Sequence, residues 1–349
     1  MTSSISNPSP LALDAGNDPF VTIAIPTYNR ASLVRECVRS ALAQSYQAFE
    51  VLVSDNASTD ETQEVLKEFH DRRLRVIKQE SNIGLNPNWN ACLEEARGEY
   101  IVFVSDDDII SPWLLDRCVA LARREPQIPV VVALSDVHFV AELRTWHAPP
   151  NQKLGTGIWD GADILQEYLE ERISAPMCTI VIKTESLRAR GGFPVDFPFA
   201  GDTIAWASLL LGAKAGFVNE PCGMVRVHGT NETSRLALDT RVTFLQRVVD
   251  LIISTADSSI ENIRKRRSLQ SAAKRYFARY AFEALASHRK GGTEFTELLR
   301  MMWRWRGYFG HIRMSDAARM AKPFAIIMLP AGVTHWFRNS SRTKRVEIG

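Results

Sequence analysis

Over the first 125 residues the apolar positions switch repeatedly between two spacings. Phe20-Val-Thr-Ile-Ala-Ile25 is a largely apolar run closed by Pro26, which reads as a buried strand. From Ala31 to Ala43 the spacing turns helical, with Leu33, Val34, Cys37, Val38, Ala41 and Leu42 on one side. The same pair of signals recurs, with strands over 49–53, 74–77 and 100–104 and helices over 87–96 and 112–124. Ser58 and Glu61, at capping-box spacing, predict another helix opening there. Strands separated by helices of this length imply right-handed βαβ units and a largely parallel sheet.

In such sheets ligands bind beyond the carboxyl ends of the strands. Three of the four strands run into polar clusters at that end: Thr27-Tyr28-Asn29-Arg30, Ser54-Asp55-Asn56 and Ser105-Asp106-Asp107-Asp108. From Val130 the pattern loosens into β-rich and loop segments, with helices expected near 162–171 and 200–211. From about Leu236 the chain reads as helical to its end. The expected organisation is a disordered lead-in (1–18), an α/β domain (19–235) and a helical, basic C-terminal region (236–349). The α/β domain divides into a first half (19–125) and a second half (126–235), which the resemblance described below assigns to nucleotide binding and to the acceptor.

Composition narrows the class. The chain has 349 residues, 45% hydrophobic and 23% charged, which is ordinary for a globular protein. Its five cysteines, Cys37, Cys92, Cys118, Cys178 and Cys222, are scattered, with neither a zinc spacing nor a disulfide framework. The Ser- and Pro-rich start lacks a signal-peptide pattern, and no apolar stretch approaches the ~18 residues of a membrane span. Pro323–Val333 is the nearest candidate, short and interrupted by Pro330. A cytoplasmic protein is the expectation. The net charge of +2 hides an asymmetry: residues 261–349 carry 19 Lys and Arg against 6 Asp and Glu, and the preceding 260 carry 23 against 34.

The polar clusters define the candidate chemistry. Three adjacent carboxylates after an apolar strand repel one another, and a divalent cation such as Mg²⁺ or Mn²⁺ relieves that repulsion. The alternative is a solvated acidic turn. Asp55 could accept a hydrogen bond from a ribose hydroxyl or a base N–H, or simply form a turn. Tyr28 could stack on a base and Arg30 meet a phosphate. No G-x-G-x-x-G or G-x-x-x-x-G-K-[ST] loop follows the first strand, which removes the dinucleotide-binding and P-loop classes. Asp202 precedes a helix start, where capping is the plain role. Arg226-Val227-His228 alternates as a strand would.

Taken together, Ile25–Arg30, Val53–Asp60, Asn82-Ile-Gly84 with Asn88-Trp-Asn90, and Phe103–Ile109 with Pro112 resemble the inverting GT-A glycosyltransferases of family 2. The resemblance covers roughly Val21 to Ser234. It implies a GT-A fold and a nucleotide-sugar donor, UDP-linked by preference. Pro26, Thr27, Tyr28, Arg30, Asp55, Asn82, Gly84, Asp106 and Asp107 are then donor-binding positions, with Pro26 and Tyr28 bordering the base. The acidic triplet resembles the D-x-D motif, with Ser105 where a first Asp often stands. Asp107, Asp108 and His228 become the metal ligands, His228 within an R-x-H element that includes Arg226 and is closed by Ser234. Ala200-Gly201-Asp202 with Trp206 resembles the acceptor motif whose Asp is the general base, with Gly201 in the place of the usual acid.

The implied reaction transfers a sugar to a glycan or lipid-linked acceptor, with surface polysaccharide synthesis as its setting. A sugar-nucleotide nucleotidyltransferase and a catalytically silent scaffold are the competing readings. The first would be expected to carry a Gly-rich basic loop, and the second to lack the carboxylates that are present. The basic region interleaves Arg and Lys with Tyr276, Phe277, Tyr280, Trp303, Trp305, Tyr308, Phe309, Trp336 and Phe337. That composition suits peripheral attachment to an anionic membrane face, or a helical subdomain with solvated charges. No nucleic-acid recognition motif is present.

Overall fold

The computed structural model describes residues 18–197, 199–229, 231 and 236–329. The lead-in before Asp18, Ser234 and the Trp336–Phe337 pair lie outside the described residues. The chain divides into two compact units, Met1–Arg235 and Leu236–Gly349.

In the first unit, β1 (Val21–Thr27), β2 (Phe49–Asp55), β3 (Leu74–Lys78) and β4 (Tyr100–Phe103) pair in parallel in the order β3-β2-β1-β4. Every residue of β1, β2 and β4 is buried, which is why these strands read as continuous apolar runs. Their crossovers are α1 (Ala31–Leu42), α2 (Thr62–Lys67) and α3 (Leu85–Glu95), and α4 (Leu114–Arg124) follows β4. The apolar stripe of α1 puts Val34, Cys37, Val38 and Ala41 into the core.

One local expectation is corrected. Ser58 and Glu61 form no capping box, and α2 opens only at Thr62 with no side-chain cap. Instead Ser58 Oγ accepts from Asn29 N at 2.9 Å, and Asp60 Oδ2 accepts from Ala31 N at 3.1 Å. The loop after β2 therefore supplies the missing acceptors at the start of α1, thirty residues earlier in the chain.

Six further strands complete the sheet: β5 (Ile109–Ile110), β6 (Val130–Phe139), β7 (Arg144–Trp146), β8 (Gly157–Asp160), β9 (Ile180–Lys183) and β10 (Lys214–Val227). β9 runs antiparallel between β4 and β6, and β10 lies parallel to β6 and antiparallel to β5 and β8. Continuous parallel pairing thus belongs to the first four strands, and the second half is mixed. It also carries α5 (Gly161–Leu169), α6 (Thr184–Ala189) and α7 (Gly201–Leu210).

The two halves are joined through α3. Trp89 stacks on Phe103 at 5.3 Å and meets Phe193 edge-on at 4.9 Å, with Phe103 and Phe193 4.8 Å apart. Asn90 exchanges two hydrogen bonds with the Phe193 backbone, at 2.9 and 2.8 Å. Asn86 Nδ2 donates to the carbonyls of Pro194 and Phe197, both at 2.7 Å. One helix therefore fixes the loop that leads into α7.

The second unit contains α8 (Leu238–Ser259), α9 (Ile263–Lys290), α10 (Phe295–Arg304), α11 (Arg306–Phe309) and α12 (Ala317–Ile327). Asn262 caps α9, accepting from Arg264 N and Lys265 N. Phe277 packs on Trp305 and Tyr308, and Phe282 on Phe309. Phe277, Phe282 and Trp305 are core and Tyr308 and Phe309 half-buried, whereas Trp303 is 70% exposed. Among the described residues no helix is long and apolar enough to cross a membrane.

Trp89→Ala removes the ring that links both halves of the first unit, and should lower the unfolding free energy by about 3–5 kcal/mol. Trp303→Ala should change it by less than about 0.5 kcal/mol. Urea unfolding followed by circular dichroism measures both.

Candidate active site

Register brings the polar strand ends together. Thr27 and Asp55 are partners in the last pair of β1 and β2, whereas β4 pairs with β1 only as far as Ala24–Phe103. Val104 N still donates to Ala24 O at 2.9 Å, and the chain then leaves the sheet as Ser105–Asp108. The backbone groups of Phe20 and Ala24 face β4, so Pro26 also faces that side, beyond the last pair. A missing N–H costs no ladder bond there.

The released segment is held from several directions. Asp106 Oδ2 accepts from the Thr27 hydroxyl at 2.7 Å. Asp107 Oδ2 accepts from Arg30 Nη1 at 2.8 Å and Asn231 Nδ2 at 2.9 Å, with His228 Nε2 at 3.1 Å. Asp108 Oδ1 accepts from Arg226 N at 3.1 Å. The Arg226 guanidinium reaches further, donating to the Asp107 carbonyl and to the Glu36 carboxylate on α1. β10 can deliver these groups because Gly223 and Met224 pair antiparallel with Ile110 and Ile109, turning its end back over the acidic segment. His228 lies just past that strand.

All three carboxyl groups belong to residues less than one-tenth exposed. Burial, then the neighbouring Asp107 charge, pushes Asp106 up to about 7, against the opposing pull of Arg30 and the Thr27 hydroxyl. The same two causes push Asp108 up to about 8. Among the described residues no three His, Cys, Asp or Glu form a group able to hold a metal ion. Of the expected ligands, Asp107 and His228 meet, while Asp108 turns to the Arg226 backbone.

The remaining donor positions surround this centre. Tyr28 is exposed at the strand end. Asn29 sits in the left-handed region at φ 53°, which Asn tolerates well, and its Oδ1 accepts from Thr59 N at 2.7 Å. Asp55 is fully buried, accepting from Ser58 N at 2.9 Å and from the Gln63 amide. Asn56 organises the next loop: its Nδ2 donates to Asn82 Oδ1 at 3.0 Å and Gly84 O at 3.2 Å, and its Oδ1 accepts from Ile83 N. Gly84 stands at φ 93°, a conformation that side chains rarely adopt. Asn82 and Gly84 therefore shape the edge beside Asp55.

Asp202 lies in the first turn of α7, half-buried, and burial raises its pKa against the opposing effect of the Thr203 backbone N–H. Among the described residues no hydrogen bond joins it to the acidic triplet. Its link to the site is Asn86 in the first turn of α3, which begins just after Gly84. A Cβ at Gly201 would fall 3.0 Å from Asn86 Nδ2, so the glycine there accommodates the asparagine. Trp206 is buried and packs edge-on against Tyr168.

Glu36, Asn86, Gln63 and Asn231 are site residues that the sequence pattern did not single out. Asn231, three residues after His228, was the most accessible to sequence reasoning, since Asn at a polar turn often bonds nearby backbone. Its Oδ1 accepts from His228 N at 2.6 Å.

Residues 22–182 match the model described as Glycosyl transferase family 2. An uncharacterized protein of Mycobacterium tuberculosis is 29% identical over 246 residues, 67% of this chain and 76% of its own. The putative teichuronic acid biosynthesis glycosyltransferase TuaG of Bacillus subtilis is 35% identical over 101 residues. That match spans 28% of this chain and 39% of TuaG, well under two thirds of the relative. S. aureus TarS 1-349 in complex with UDP-GlcNAc matches with TM-score 0.57 at 16% identity, over 92% of this chain and 87% of that one. The mannosyltransferase PcManGT from Pyrobaculum calidifontis, in complex with GDP-Man and Mn²⁺, matches with TM-score 0.53 at 20% identity, over 90% and 86%. These likenesses are of fold: a GT-A-type α/β sheet with a helical C-terminal region.

Asp106 and Asp108 hold protons more tightly folded than unfolded, so the folded state binds more protons between about pH 4 and pH 8. Stability of the chelator-treated protein should fall as pH rises through that window. The slope should approach about 1.4 kcal/mol per pH unit for each such carboxyl. Asp108→Asn should flatten it, read as melting temperature against pH.

Proposed function

We propose that the chain, whose residues 22–182 match the Glycosyl transferase family 2 model, is a GT-A-type sugar transferase (EC 2.4) that moves a sugar from a nucleoside-diphosphate donor to a glycan or lipid-linked acceptor. The observation that carries this reading is the convergence of Thr27, Arg30, Asp106–Asp108, Arg226 and His228 at the carboxyl edge of the parallel strands. That is where a doubly wound sheet binds nucleotides. Solved neighbours with UDP-GlcNAc and with GDP-Man support a nucleotide-sugar donor, and a uridine base is our first choice. The teichuronic acid biosynthesis for which TuaG is named supports surface polysaccharide as the setting.

The donor set fits a divalent cation. Asp107 and His228 pair an oxygen and an imidazole nitrogen, and Mg²⁺ or Mn²⁺ takes one or two protein ligands together with substrate phosphates. Two buried carboxyls that ionise only near neutrality also favour added positive charge. When bound, the cation would offset charge growing on the departing diphosphate. The Mn²⁺-bound neighbour supports the same reading. Arg30 would hold a phosphate, and Tyr28, beside Pro26, would border the base.

Asp202 is the proposed general base. The acceptor oxygen forms a bond to the anomeric carbon as the bond to the diphosphate breaks, and the hydroxyl proton passes to the Asp202 carboxylate. A raised pKa makes that carboxylate a better base. One displacement inverts the anomeric centre. The basic C-terminal region would hold the enzyme on the cytoplasmic membrane face, near a lipid-linked acceptor, through its surplus of 13 positive charges over residues 261–349.

Calorimetric titration with UDP, GDP and dTDP, with and without Mn²⁺, should show metal-dependent binding of one nucleotide. Asp107→Ala/Asp108→Ala should abolish it, and no binding to any nucleotide by the folded protein would defeat the enzyme reading. Asp202→Asn should leave nucleotide affinity unchanged and lower turnover by ~10²- to 10⁴-fold. Near-normal turnover would remove Asp202 from the base role.

A further inference from the structure

We infer that the outer face of α10 is the surface that docks on anionic phospholipid, an inference that rests on the membrane attachment proposed above. The helix spans Phe295–Arg304, and Leu298 is its buried residue. Phe295, Leu299 and Trp303 recur at every fourth position, which places them along one side. They are 37%, 48% and 70% exposed, rising towards the helix end. A helix that only covered its own unit would turn this apolar arc inward, as Phe277, Phe282 and Trp305 are turned. A contiguous apolar stripe left in water marks an interaction surface.

Charge decides the occupant. By helical spacing Arg300 borders the stripe on the Trp303 side and is exposed, whereas Arg304 lies on the far side near Glu297. The Arg306 guanidinium lies 4.3 Å over the Trp303 ring and donates to the Trp303 carbonyl at 2.8 Å. Glu297 stands on the opposite side of the helix, paired with Arg300. A second copy of the same face would bring like-charged arginines together. A phospholipid surface accepts both features: the apolar side chains enter the acyl boundary, and the arginines stay at the phosphates. The indole of an exposed tryptophan suits that boundary layer.

The test uses the full chain, floated with vesicles of phosphatidylglycerol mixed with phosphatidylcholine and with vesicles of phosphatidylcholine alone. The wild-type protein should bind the anionic vesicles, and Leu299→Ser/Trp303→Ser should bind them at least roughly tenfold more weakly. Its UDP affinity and melting temperature should match wild type. Leu143→Ser, at an 85% exposed leucine of the first unit, should bind vesicles as wild type does. Undiminished vesicle binding by the double variant would overturn the assignment to α10 while leaving membrane attachment standing. Failure of the wild-type protein to bind any vesicle would overturn both. A wild-type dimer in sedimentation that dissociates in the double variant would make the occupant a second copy and overturn the lipid assignment.

Discussion

The burial of three consecutive carboxylates, and after it their mutual repulsion, is the constraint on which the first unit's candidate site depends. Asp106, Asp107 and Asp108 follow a strand buried on both faces, where separated charge is costly. Each is answered from a different part of the chain: Asp106 by Thr27, Asp107 by Arg30, His228 and Asn231, and Asp108 by the Arg226 backbone. Arg226 also ties α1, through Glu36, to the Asp107 carbonyl. The segment therefore holds its shape only when β1, α1 and β10 are all in place. Burial still leaves Asp106 and Asp108 raised, so protein groups alone do not fully balance the charge. That incomplete balance is the physical ground for the cation proposed at this site.

A second constraint connects this centre to the proposed acceptor side. α3 begins at Gly84, beside Asn56 and Asn82, and its next turns present Asn86, Asn88 and Asn90. Asn88 binds Ser54 through both its amide oxygen and nitrogen, whereas Asn86 and Asn90 hold the Phe193–Phe197 loop. Side-chain amides suit this work because each both donates and accepts, and so replaces backbone pairing where no strand runs. Gly201 leaves room for Asn86, and Asp202 follows directly. The proposed base is thus positioned through the helix that begins beside Asn56 and Asn82.

The helical unit obeys a different balance. Its aromatics divide between an interior cluster around Phe277 and the exposed stripe of α10. Composition could not separate these roles, since Trp303 and Trp305 are two positions apart in the same kind of sequence. Trp303 lies in the last turn of α10 and faces out, whereas Trp305 falls at the junction between α10 and α11 and packs on Phe277.

Much of the fold was legible because it is periodic. The first four strands and α1, α3 and α4 are long enough for the apolar spacing to be unambiguous, and strand ends in a βαβ sheet share one edge by topology alone. The sequence by itself thus placed Thr27, Asp55 and Asp106–Asp108 together and carried the resemblance to glycosyltransferase family 2, because local pattern and motif order carry that information. Tertiary structure decided which partner each carboxylate takes, that Asp55 turns into its own loop, and that Asp60 caps α1 rather than the Ser58–Glu61 pair capping α2. It also decided that β9 runs antiparallel between β4 and β6. Except for the turn of Asp55, these outcomes depend on groups meeting far apart along the chain, as Asp107 meets Asn231 across 124 positions and Ala31 N meets Asp60 across 29. Spacing along the chain does not encode such distant meetings; they follow from packing once the sheet has closed.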